Sequence, residues 1–201
     1  MTSRIACGAL VGVSMLASAA TAAVTVTNSQ LLWNYRVNTS GQTVAAESFN
    51  SLADGFIAGP LTGTLGNTFW TATAEGGLFA QSGMLSTATA FKTLNFTFAP
   101  GVRGVAGNIF GTDIGFNVVS TIVNVSLSDG TAFESFTDSA SDFIGFNSTT
   151  ANISSLSITV LELGTSGNVW STINNLYVAV PAPGAAALIG LAGLATRRRR
   201  A

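Results

Sequence analysis

The sequence predicts an all-β chain, an antiparallel sandwich or barrel, on three observations. From Val24 to Val180 it is built of Thr, Ser, Val, Ile, Phe and Asn with a glycine every few positions, the composition of strands and turns. Apolar and polar residues alternate through the second half, as they do where a sheet buries one face. Strand-like runs recur at intervals of roughly 10–15 residues with no helical period between them.

Taken in order, LLWNYRV (Leu31–Val37) reads as a strand, and the glycine-rich, aperiodic SLADGFIAGPLTGTLG (Ser51–Gly66) as one long loop. NTFWTATA (Asn67–Ala74) and TLNFTFA (Thr93–Ala99) are strands. In TIVNVSLSDGTAFESF, Val123, Val125 and Leu127 point one way and Asn124, Ser126 and Ser128 the other. Asp129-Gly130 then predicts a two-residue hairpin turn, because glycine accepts the positive φ such turns need. DFIGFN (Asp142–Asn147) is the next strand. LSITVLEL (Leu156–Leu163) sets Leu156, Ile158 and Val160 opposite Ser157 and Thr159, and VWSTINNLYVA (Val169–Ala179) closes the body.

A chain of 201 residues has room for one such domain with short flanking segments. Charged residues are 8% of the total and histidine is absent. The net charge of −1 hides a segregation: Arg4 lies at one end and Arg197, Arg198, Arg199 and Arg200 at the other. Between them, three basic residues (Arg36, Lys92, Arg103) face nine acidic ones, so the body carries −6. An acidic body does not displace counterions from a polyanion, which excludes nucleic acid as a partner.

The N-terminus carries a positive MTSR, an apolar IACGALVGVSMLASAA and then Ala20-Thr21-Ala22, the small residues a signal peptidase accepts. Residues 1–22 are therefore read as an export signal, helical while in the membrane and cut near Ala22. Cys7, the only cysteine, falls inside it with Arg4 where a lipobox has an apolar residue. The mature chain is thus expected to contain no thiol and no disulfide.

Little in the body points to catalysis, and an enzyme is not expected. Without histidine there is no Ser–His–Asp triad, and zinc lacks its usual ligands. No Gly-x-Ser-x-Gly elbow or phosphate loop occurs. Glu75, Glu134 and Glu162 stand beside six aspartates, and nothing in their spacing selects the carboxylate pair of a glycosidase. Asp138-Ser-Ala-Ser-Asp142 offers oxygens at alternate positions that Ca²⁺ accepts, yet it lacks the glycine and distal glutamate of an EF-hand loop; the competing reading is a polar turn. Trp33, Trp70, Trp170 and Tyr177 form either a sugar-stacking platform or, the favoured reading, core. Asn38, Asn95, Asn124, Asn147 and Asn152 each begin an Asn-x-Ser/Thr sequon, as Thr/Ser/Asn-rich strands produce by composition.

The C-terminal VPAPGAAALIGLAGLATRRRRA has three parts. Pro181 and Pro183 hold the chain extended. Gly184–Thr196 is a run of 13 apolar or small residues, about 20 Å as a helix and short of a full span, a gap that snorkelling arginines partly close. The four arginines that follow act as a stop-transfer signal and predict a body outside and a tail inside.

This order of proline motif, short transmembrane stretch and terminal arginine cluster resembles the PEP-CTERM sorting signal, with Val180-Pro181-Ala182-Pro183 standing where the family has V-P-E-P. The resemblance implies a temporary membrane anchor, processing near Pro181–Pro183 by an exosortase-like enzyme, and transfer to the bacterial envelope or matrix. The body from about Gly104 to Val178 resembles exported jelly-roll domains of the carbohydrate-binding type, on DFIGFN, on the Ile153–Ile158 strand and on the closing Ile173-Asn174-Asn175-Leu176. The expected organisation is a signal peptide (1–22), a jelly-roll-like sandwich (23–179) and a sorting tail (180–201). The expected role is structural or adhesive, in contact with exopolysaccharide, with a carbohydrate-binding module, calcium-assisted or not, as its rival.

Overall fold

The computed structural model describes residues 24–161, 167–182 and 184. In chain order its elements are β1 (Val24–Thr27), α1 (Gln30–Thr39), β2 (Gln42–Glu47), β3 (Gly55–Ile57), β4 (Leu61–Leu65), β5 (Thr68–Ala74), β6 (Leu78–Gln81) and β7 (Met84–Thr87). Then follow β8 (Leu94–Phe98), β9 (Gly104–Thr112), β10 (Val118–Val119), β11 (Thr121–Leu127), β12 (Ala132–Thr137), β13 (Phe143–Ser148), β14 (Ser155–Leu161) and β15 (Trp170–Pro181). The class is all-β and sandwich-like, as the sequence predicts.

One sheet has nine strands in the order β1-β13-β9-β15-β7-β6-β3, with β10 added on β9 and β2 on β15. The other has six, β12-β11-β14-β8-β5-β4. All pairings are antiparallel. From β7 onward the chain passes repeatedly between the sheets. The alternation read from sequence sets their inner faces: Val123, Val125, Leu156, Ile158 and Val160 meet Ile109, Phe146, Ile173 and Leu176 in one core. Its aromatic centre is Trp70, edge-on to Phe49 at 5.8 Å and 6.0 Å from Phe96.

The predicted strand Leu31–Val37 is instead α1. Ser29 caps it by accepting the Leu32 N–H at 3.3 Å, and Gly41, at φ +67°, takes the left-handed turn just beyond its end. Apolar residues at 31, 33, 35 and 37 satisfy a period of two, but only Trp33 and Val37, one helical turn apart, are buried; Leu31 and Tyr35 are exposed. These two pack with Ala106, Phe143 and Ala179 on the outer side of the nine-stranded sheet and form a second, small core.

The predicted loop 51–66 contains β3 and β4. The pattern LTGTL does alternate, and its central glycine is required because a Cβ on Gly63 would overlap the Trp70 indole. The hairpin after β11 has three loop residues, 128–130, rather than two. Leu127 N–H bonds Thr131 C=O at 2.8 Å, and Gly130 at φ +86° supplies the left-handed step. The central β9 is invisible to an alternation test because all nine residues are buried, with neighbours on both faces.

The readings of Ala20 and Ala22 as a peptidase site, of Glu162 as an acid, of Pro183, and of Arg197, Arg198, Arg199 and Arg200 as a stop-transfer cluster fall outside the described residues. Among the described residues, no helix is long and apolar enough to cross a membrane.

Candidate functional site

Val180 and Pro181 are strand residues, paired with Thr43 and Gln42 of β2, and the Ala182 N–H bonds Gly41 C=O at 2.9 Å. The segment expected to be processed is thus extended and zipped to the sheet as far as Ala182. Proline is tolerated there because it ends the strand.

Asp138 and Asp142 meet in one turn before β13. The Oδ2 of Asp142 accepts the backbone N–H groups of Asp138 at 2.8 Å and Ser139 at 2.9 Å. Two asparagines hold the turn from outside: Asn108 donates to Ser141 C=O at 3.1 Å and Asn174 to Ala140 C=O at 3.1 Å. Asn174 sits at a β-bulge in β15 between Ile173 and Asn175, so the Asn-Asn pair of the closing strand positions this turn. Among the described residues, no group of three or more acidic side chains lies close enough to share a metal ion.

Among the described residues, Glu75 and Glu134 are not brought together. Glu75 forms an exposed ion pair with Lys92 at 2.9 Å, and Glu134 accepts from Asn124 Nδ2 at 3.0 Å. Glu134 is on β12 and Glu75 just follows β5. With three strands between, they stand about 19 Å apart across the sheet at roughly 4.8 Å per strand step. The separation required by glycosidases is about 5–10 Å.

The tryptophans divide. Trp70 is core and Trp33 is fully buried, its Nε1–H donating to Phe146 C=O at 3.0 Å. Tyr177 packs 6.2 Å from Trp33. Trp170 alone of the three indoles is partly exposed, so these rings make no common platform.

Two features that sequence reasoning had no means to assemble emerge from the pairing. The first is the outer face of the six-stranded sheet. Register aligns Thr62, Thr71, Thr97 and Ser155 in one row, Thr73, Asn95, Ser157 and Ser126 in the next, and Thr159, Asn124 and Glu134 in a third. Hydrogen bonds tie neighbours together: Ser157 Oγ to Asn95 Oδ1 at 2.7 Å, and the Thr93 and Thr159 hydroxyls at 2.9 Å. Glu134 is the only charge among the strand residues of this face.

The second is a cavity of about 250 Å³ at the edge of the nine-stranded sheet, lined by Phe79 and Gln81 of β6, Ser86 and Thr87 of β7, Trp170 of β15 and the Asp113–Phe116 turn. The turn joins β9 to β10 and is organised by one carboxylate. Asp113 Oδ1 accepts Gly115 N–H at 2.8 Å and Asn117 N–H at 2.9 Å, while Asn117 Nδ2 donates to Oδ2 at 3.0 Å. This network holds Phe116 at φ +60°, a conformation that is costly for a bulky side chain, and sets its ring 5.7 Å from Phe79.

The Asn117 side chain, then its backbone N–H and that of Gly115, stabilise the Asp113 carboxylate and hold its pKa below the ordinary value of 3.8. The folded-state value is the lower one, so the contribution to stability is present above the unfolded pKa and is lost as pH falls through the folded one. The turn is therefore expected to stay ordered at pH 5 and to loosen only below about pH 4. Titrating the Asn117 amide resonances tests this; a transition centred above pH 4 contradicts it.

Compared with protein-family models and with curated proteins, the chain finds no match.

Proposed function

We propose that this chain is an exported matrix or envelope protein of structural or adhesive type, whose jelly-roll-like body meets neutral polysaccharide through the outer face of its six-stranded sheet. The observation that carries the reading is that face: aligned rows of Thr, Ser and Asn with a single charge among its strand residues, bordered by an apolar row of Phe136, Ile122 and Leu161 and by exposed Phe69. A flat array of hydroxyl and amide groups offers many weak donors and acceptors to a hydroxylated polymer. It gives no electrostatic grip on a charged one. The passage of the chain from sheet to sheet between β7 and β15 supports the jelly-roll description.

Delivery is assigned to the two termini: an N-terminal signal peptide cut near Ala22, and a PEP-CTERM-like tail that anchors the chain until an exosortase-like enzyme acts near Pro181–Pro183. The end of β15 suits this. A cut after Ala182 leaves every rung with β2 in place, whereas a cut before Val180 removes the pairs with Thr43 and Gln42.

Retention of the protein on a neutral glucan gel tests the adhesive role. Retention is expected to be unchanged between about 0.05 and 0.5 M salt. It should fall about tenfold in Thr71→Val/Thr97→Val, which removes two facing hydroxyls, each contributing about 0.5–1 kcal/mol, while preserving shape. Loss of retention with salt, or indifference to the two substitutions, overturns it. For delivery, the intact mass of protein from the membrane and medium of a host carrying an exosortase is expected to show a chain starting near Ala23 and ending near Pro181–Pro183. A chain found only in membranes and still ending in Arg197–Ala201 would mean that the tail is a plain anchor.

A further inference from the structure

The cavity beside the Asp113–Phe116 turn has the chemistry of a binding site, and we infer that it takes a single neutral sugar ring. Three aromatic side chains, Phe79, Phe116 and Trp170, are each partly exposed and line one space. Such rings stack on the apolar face of a pyranose. Between them are groups suited to its hydroxyls. Gln81 offers an amide, and the Asp113 carboxylate stands in the same lining.

Size and charge narrow the class. About 250 Å³ lies just under the roughly 300–1,000 Å³ of drug-sized clefts, so one ring fits and a chain does not. Among the described residues, Asp113 is the only charged group in the lining, and both its oxygens are engaged within its own turn. Those bonds leave the carboxylate its full negative charge, so the cavity repels anions, and the test below sets a neutral ring against a cation. The larger cavity of about 410 Å³, between the end of β15 and Pro100-Gly101, has no aromatic ring in its lining and lacks the stacking surface.

Phe116 is held in a left-handed conformation that glycine would adopt freely, and its ring spends that strain lining the cavity rather than filling the core. Phe49 and Phe91 share this backbone conformation and pack in or against the core, so what sets Phe116 apart is its place in the cavity wall.

The inference takes its ligand class from the polysaccharide setting proposed above, but not its site. The test uses the full chain in a polyoxyethylene detergent, which carries neither sugar nor ammonium, and titrates it with the methyl glycosides of glucose, galactose and mannose. Tryptophan fluorescence reports, since Trp33 and Trp70 are buried and Trp170 lines the cavity. A saturable change at about millimolar glycoside is expected, the range open to a ligand of one ring. Phe79→Ala should weaken it about tenfold. Phe116→Gly should abolish it while leaving the melting temperature unchanged or higher, because it removes ring and strain together.

Absence of a saturable change with all three glycosides overturns the site. A response retained in Phe116→Gly overturns its location. A response to tetramethylammonium in place of the glycosides means an aromatic cage for a cation and overturns the ligand class. Thr71→Val/Thr97→Val leaves this cavity untouched, so failure of the sheet-face reading and failure of this one are told apart.

Discussion

Trp33→Ala is expected to lower the unfolding free energy by about 3–5 kcal/mol, the range for truncating a large buried aromatic residue. The indole is 0% exposed and touches elements far apart in sequence. It lies 6.1 Å from Phe143 and 6.2 Å from Tyr177, and its Nε1–H satisfies the carbonyl of Phe146. Truncation leaves a cavity on the outer side of β13 and removes the indole's bond to the Phe146 carbonyl. The small core of Trp33, Val37, Ala106, Phe143 and Ala179 has no other large side chain on α1 to close the gap. Against a usual total of about 5–15 kcal/mol, the loss is a large fraction of the margin. Urea unfolding is the measurement, with Leu31→Ala as control. Leu31 is 83% exposed on the same helix, so its truncation should stay within about 0.5 kcal/mol. Equal effects from the two would mean that α1 does not dock through Trp33.

The second large effect is expected at Gly107, in the middle of β9. A Cβ there would stand 2.6 Å from Ile173 Cδ1 and 2.8 Å from the backbone oxygen of Asn175. Gly107 faces Leu176 of β15 on one side and Ile144 of β13 on the other, so the strand is bonded along both edges and has nowhere to move. Overpacking typically costs about 1–3 kcal/mol. Gly107→Ala should fall in that range, and Gly107→Val, with two further methyl groups, should exceed it. Adding Ile173→Val removes the Cδ1 contact but not the one with the Asn175 oxygen, so Gly107→Ala/Ile173→Val should recover only part of the loss. A double-mutant cycle on melting curves gives the coupling. Strict additivity would place the strain elsewhere than at Ile173.

Much of the fold was legible in the residues. The runs around Trp70, Phe96, Val123, Phe146 and Ile158 alternate because each strand buries one face, and burial of one face is a property that a sequence records directly. Where both faces are covered the record disappears: β9 reads as GVAGNIFGT, too glycine-rich and too uniform for an alternation test. Three of its glycines, Gly104, Gly107 and Gly111, are there because a Cβ would meet Ala179, Ile173 or Thr121. The helix escapes a pattern test for a related reason. LLWNYRV satisfies a period of two over seven residues, and only the partners that Trp33 and Val37 find on the nine-stranded sheet decide for the period of a helix. The candidate sites follow the same division. A hydroxyl-rich composition was evident, but its alignment into rows depends on the register of strands up to 100 residues apart in sequence. The cavity joins Phe79, Phe116 and Trp170, which no spacing rule connects.

The sequence by itself therefore determined the class, the polarity of each alternating strand, the segregation of charge to the termini and the resemblance of the tail, since all of these are written in local order and composition. Tertiary structure alone decided which hydroxyls share a surface, which aromatic rings enclose a space, and that the strand leading to the tail is held against β2 as far as Pro181. Those outcomes depend on which strands become neighbours. Pairing partners are chosen by the free energy of the whole packed sandwich, a sum over long-range contacts that no short stretch of chain contains.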